Sequence, residues 1–129
     1  MWQFEQLSGR ISRDGRSVGF GYSGFAEGCD NPAQEKIQGI GPIPVGNYLI
    51  NKPEDTATHG PYVLPLTPAF GTDTFGRSGF LIHGDSKEHP GAASHGCIVL
   101  PRNIREHIWQ SGDRDLAVVV SQAGQDGQL

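Results

Sequence analysis

Apolar and polar positions alternate with period two along the opening of the chain, in runs too short for helices and separated by turn residues. Such alternation marks half-buried strands. Residues 2–7 (Trp-Gln-Phe-Glu-Gln-Leu) alternate, Ser8-Gly9 turns the chain, and residues 10–13 continue the pattern. Asp14-Gly15 is a hairpin dipeptide, because a type I′ turn needs positive φ at both central positions. It predicts a return strand over 17–22, so the opening reads as a meander.

Residues 23–40 form a loop with one short helical turn over 34–37, and Gly46 precedes a strand over 47–51. Residues 60–70 are extended again. Pro65 and Pro68 lack the amide that a central strand donates, which predicts an edge or bulged strand here. In the strand that follows, Leu81 and His83 share one face while Phe80 and Ile82 share the other. After a loop over 85–95, residues 96–100 are extended. Pro101 suits the first turn of a helix. Ile104 and Ile108 stand four apart and Gly112 is a stop signal, giving one helix of about ten residues. Residues 115–121 close the fold as a buried strand, and the polar residues 122–129 read as a disordered tail.

Composition narrows this to a mostly β fold. The chain has 129 residues, 19 of them glycine and 9 proline, with 36% hydrophobic positions. That length fits one domain over 1–121, and the turn-rich composition favours short strands over a helical bundle. No internal repeat is evident. The net charge of −4 carries no basic stripe, so nucleic acid is not the expected partner. No run reaches the ~18 apolar residues of a membrane helix, so membrane insertion is not expected. The first residues lack a basic segment followed by an apolar one, so the expectation is a chain made in the cytoplasm without a Sec-type signal.

Candidate chemistry concentrates in "LIHGDSKEHPGAASHGCIVLP", residues 81–101, which holds three of the five histidines and one of the two cysteines. Three readings compete. In the first, Cys97 is a nucleophile and His83, fourteen residues upstream, is brought back by the loop as its base. Gly96 would let the backbone turn sharply and leave room for a substrate carbonyl and an oxyanion hole. His95, two residues before the thiol, is a second candidate for the base, or a pocket wall or oxyanion donor. In the second reading His83, Asp85, His89, His95 and Cys97 bind zinc, although their spacing matches no standard ligand pattern. In the third Cys97 is simply a buried core residue, as free cysteines often are. His89, beside Pro90, reads as a solvated loop residue. Cys29 lies 68 positions from Cys97, too isolated for a disulfide framework, though a bridge between the two stays open.

"IHG" at 82–84 followed by "SHGC" at 94–97 resembles the signature of the L,D-transpeptidase (YkuD-type) superfamily, and "GPIPVGNYLI" at 41–50 resembles that family's strand entry. Nearly the whole chain is similar to the L,D-transpeptidase effectors delivered by type VI secretion systems. The likeness includes "GYSG" at 21–24, "LTPAFGTDTFGRSGFLIHGDS" at 66–86 and "GCIVLPRNIREHIWQSGD" at 96–113.

The resemblance implies a YkuD-like β-sandwich or barrel with one short helix after the catalytic cysteine. Cys97 would be the nucleophile and His83 the base, oriented by backbone near Gly84, with Ser94, His95 and Gly96 shaping the pocket and oxyanion hole. The substrate would be the peptidoglycan stem tetrapeptide, cleaved before its terminal D-alanine, with no metal or cofactor. It further implies secretion, action in the periplasm of a target bacterium, a secretion-apparatus component as delivery partner and a periplasmic immunity protein. The chain departs from the superfamily at Val99, where most members carry arginine, and Arg102 or Arg77 is the expected substitute for binding substrate carboxylates. His95 makes the chain more like ordinary L,D-transpeptidases than like the effectors, and Cys29 matches no family position. A zinc-dependent peptidoglycan hydrolase and a non-catalytic wall-binding or secretion-apparatus component are the alternatives.

Overall fold

The computed structural model describes residues 1–121; the predicted tail over 122–129 lies outside the described residues. The fold is mostly β, with ten strands in a mixed sheet and a single short α-helix among the described residues. The strands are β1 (Trp2–Glu5), β2 (Arg10–Arg13), β3 (Arg16–Phe20), β4 (Tyr22–Ser23), β5 (Gly46–Ile50), β6 (Glu54–Thr56), β7 (Gly60–Pro68), β8 (Leu81–His83), β9 (Ile98–Val99) and β10 (Asp115–Val119). The helix α1 spans Arg102–Gln110. Neighbours run in the order β3-β2-β1-β10-β5-β7-β8-β9-β4, and β6 pairs with β7. No helix among the described residues is long and apolar enough to cross a membrane.

The opening meander forms as its pattern predicts. Asp14 and Gly15 both adopt positive φ, 50° and 84°, as the primed turn between β2 and β3 requires. The third strand is shorter than expected: the chain breaks at Gly21, and Tyr22–Ser23 leaves the meander to pair antiparallel with β9. The helical turn expected over 34–37 occurs earlier, as a 3₁₀ turn over Pro32–Gln34 with Asn31 capping it through Ala33 N–H. A second 3₁₀ turn covers Ala26–Gly28.

The edge expectation for residues 60–70 is corrected. β7 is interior, paired with β8 on one side and with β5 and β6 on the other. Proline is tolerated because its penalty falls on one side of one residue. The Pro65 carbonyl faces Asn51, which donates to it from both its amide (2.9 Å) and its side chain (3.1 Å). The missing Pro65 N–H therefore faces the corner where the chain passes from β5 to β6, and no ladder bond is lost.

The core gathers Trp2, Phe4, Ile11, Ile50, Leu64, Ile82, Ile98, Leu116 and Val118 with Ile104 and Ile108 of the helix. Their burial holds the parallel β8–β9 pair, in which Ile82 is registered with Ile98 and His83 with Val99. That register brings the two ends of the predicted motif together. His83 closes β8, and Cys97 sits one residue before β9, on the same face as Val99 and His83.

Candidate active site

Cys97 and His83 line one cavity of about 310 Å³, together with Arg77, Gly79, His95 and Gly96. His83 is only 2% exposed. Its Nδ1 lies 2.8 Å from the Gly84 carbonyl oxygen. A carbonyl only accepts, so Nδ1 carries the proton and Nε2 is left with a free lone pair. Burial pushes the His83 imidazole below its ordinary value of 6.5; the Gly84 carbonyl opposes this, His59 and Arg105 add to it, and Asp85 opposes it. The side chain is thereby held as a neutral base. The Cys97 thiol is pushed above its ordinary value of 9.0 by burial, partly offset by a hydrogen bond from Leu81 N–H and by the charge of Arg77. Its Sγ lies 3.7 Å from the Gly79 carbonyl oxygen. Both shifts favour the uncharged forms, thiol and imidazole, in the shared cavity.

Ser94 is fully buried and serves as a staple. Its hydroxyl donates to the Cys97 carbonyl (2.6 Å) and accepts from Gly24 N–H (2.9 Å) and Gly96 N–H (3.2 Å). The Gly96 amide is therefore committed inside the turn, whereas among the described residues no acceptor takes the Cys97 N–H. Ser94→Ala would leave the buried Gly24 amide and Cys97 carbonyl unpartnered. It is expected to cost about 1–3 kcal/mol of unfolding free energy, read by urea titration.

Gly96 has φ +124°, and a Cβ there would come within 2.2 Å of Arg77 Nη2. Arg77 itself is buried. It donates to the carbonyls of Glu35, Pro42 (2.8 Å) and Gly41 (2.9 Å), fastening the 35–42 loop to the cavity wall. Three of its five N–H donors go to these carbonyls, so the guanidinium is fixed in position at the cavity wall with its charge beside Cys97. Arg102 is elsewhere. It pairs with Glu106 (3.1 Å), lies over Tyr62 and lines neither this cavity nor its neighbour. A first-turn helical position facing solvent explains this placement.

His95 is exposed, stacks on Phe25 with ring centroids 4.8 Å apart, and has Nδ1 3.3 Å from the Gly39 carbonyl. It forms a wall of the cavity. The zinc reading finds no ligand set: among the described residues no three His, Cys, Asp or Glu side chains gather as an ion would need. Asp85 is occupied instead, accepting from Tyr22 Oη (2.7 Å), Ser86 N–H and Gly91 N–H, which pins the 84–95 loop. Both thiols are free, so no Cys29–Cys97 bridge exists. His89 is exposed, on the rim of a second cavity of about 680 Å³ that adjoins the first along His59, His83, Ala93 and His95.

Two residues escaped the sequence reading. Arg105 is 4% exposed and donates to the carbonyls of Leu100 (2.6 Å), Tyr62 (3.0 Å) and Pro61 (3.2 Å). Its guanidinium also abuts Gly84, where a Cβ would lie 3.0 Å from Nη1. A signal existed, since Arg105 adjoins the Ile104–Ile108 stripe and shares its buried side. His59 was invisible, because nothing around "TATHG" at 56–60 points to a site 24 residues away.

No curated protein and no solved structure matches the chain. A family model, the Tlde1 domain, matches residues 18–122, a span that contains every residue lining the cavity, from Gln38 to Cys97. The chain belongs to the Tlde1 domain family of type VI secretion effectors.

Proposed function

We propose that the protein is a cysteine L,D-transpeptidase and L,D-carboxypeptidase that acts on peptidoglycan stem tetrapeptides. One observation carries the reading: a buried imidazole with its Nδ1 proton tied to the Gly84 carbonyl lines the same cavity as Cys97. In this scheme Nε2 of His83 takes the thiol proton as Sγ attacks the carbonyl of the third stem residue. The Cys97 N–H supports the oxyanion. The proton then passes to the departing amine of D-alanine, leaving a thioester. Water resolves it to a tripeptide, or the amine of another D-amino acid resolves it to an exchanged stem, with His83 taking the proton of the incoming nucleophile.

Neutral resting groups suit this sequence, because the proton moves only as the carbon–sulfur bond forms. Membership of an effector family supports delivery by a type VI apparatus and action in the periplasm of the target cell. A periplasmic immunity protein that covers the cleft is the expected partner.

The test is incubation of the protein with tetrapeptide muropeptides, with and without D-methionine, read by mass. Tripeptide stems alone, and D-methionine-terminated stems when the amino acid is added, are the expected products, unaffected by chelator. Intact tetrapeptides under both conditions would refute the reading, and products lost on chelation would transfer it to the metal-dependent class.

A further inference from the structure

His59 sits at the tip of the β6–β7 hairpin, on the wall shared by the two cavities. Its ring meets the His83 ring with centroids 4.7 Å apart and planes inclined by 45°. The hairpin is exposed, yet it is held firmly. Thr56 Oγ1 accepts the His59 amide at 2.8 Å, and Thr58 Oγ1 lies 2.9 Å from His59 Nδ1. Asp55 Oδ1 accepts the amide of Tyr62, which is bent to φ 54°. Arg105 then grips the carbonyls of Pro61 and Tyr62 from the helix while its guanidinium rests against Gly84. A single buried cation thus ties the strand that follows His59 to the turn that follows His83.

We propose that His59 is a positioning residue for His83: its ring, carried over the site by the hairpin that Arg105 clamps, lies against the His83 imidazole and keeps it neutral. The inference rests on the reading of His83 as the base. Its physical basis is twofold. The ring excludes water from His83, and burial disfavours the imidazolium. Any proton carried by His59 places a second positive charge against the same ring. The other charged or titratable groups facing His83 are Arg105 from the helix, which acts in the same sense, and Asp85 from the loop after β8, which acts in the opposite one. Cys97, before β9, and His95, two residues earlier, share its cavity.

The experiment is an NMR titration of the His83 ring in the full chain, for wild type, His59→Ala and His59→Phe. Alongside it runs the pH profile of kcat/KM for D-alanine release. Removing the ring admits water and deletes the neighbouring charge, and both changes make His83 easier to protonate. The His83 midpoint is expected to rise by roughly half a pH unit or more in His59→Ala, with the acid limb of the activity profile rising with it. His59→Phe restores the cover without the charge and is expected to fall between the two. A His83 midpoint that is the same in all three proteins would overturn the proposal. Should the wild type release no D-alanine, the enzymatic reading falls, and the titration still decides whether His59 sets the state of His83.

Discussion

Cys97→Ala is expected to abolish release and exchange of D-alanine, by about 10³-fold or more, as deletion of a covalent nucleophile does. The fold should survive. The thiol's contacts in the cavity are a hydrogen bond from Leu81 N–H and the Gly79 carbonyl 3.7 Å away, and alanine fits the same backbone. Loss of activity with an unchanged unfolding midpoint therefore isolates chemistry from stability. The measurement is muropeptide mass analysis beside a thermal melt. Unchanged products from the alanine variant would remove cysteine chemistry from the account altogether.

The pH profile carries the same argument further. Burial holds the His83 imidazole below 6.5, so the base stays free of its second proton to lower pH than an exposed histidine would. Activity governed by this group falls as pH drops, and it falls only below the ordinary imidazole range. Because burial raises the thiol above 9.0, the proposed reaction is expected not to need a preformed thiolate. In that scheme attack and proton transfer to Nε2 are expected to occur together. A solution thiol reagent, which needs the thiolate, is accordingly expected to label Cys97 slowly at neutral pH in the absence of substrate.

Much of this was legible where the signal is local. Asp14-Gly15 sets its own turn, Ile104 and Ile108 mark their own helix face, and "IHG" and "SHGC" lie close enough in the chain to suggest a pair. The parallel β8–β9 register then joins them. What was not legible depends on distant backbone. Pro65 and Pro68 look like edge residues because a sequence does not show which side of a strand a missing amide will face. Arg77 and Arg105 look like ordinary surface or substrate-binding cations because their partners are carbonyls, which every residue has. Arg77 reaches back 42 positions to Glu35, and Arg105 reaches back 44 to Pro61. His59 becomes visible only once the hairpin is folded over the site. Arg102 and Arg105 stand three apart on the helix, yet the first is exposed and the second buried.

Arg77→Met tests the largest of these hidden dependencies. Methionine keeps much of the side-chain volume and loses every donor. Carbonyls of Glu35, Gly41 and Pro42 would then face the interior without the guanidinium that satisfies them. Each buried carbonyl left without its donor costs about 1–3 kcal/mol. That is a large share of the stability of a domain this size. The damage should be directional. The loop over 35–42 carries Gly39, against which His95 rests, and the Arg77 guanidinium packs against Gly96 directly before Cys97. Loosening the loop therefore opens the Cys97 cavity from the His95 side. It leaves the Arg105 clamp on the His83 side in place. Hydrogen exchange should report early loss of protection over residues 35–42, while β7 and β8 remain protected until global unfolding. A uniform loss of protection across the sheet would show instead that Arg77 supports the whole core rather than one wall of the site.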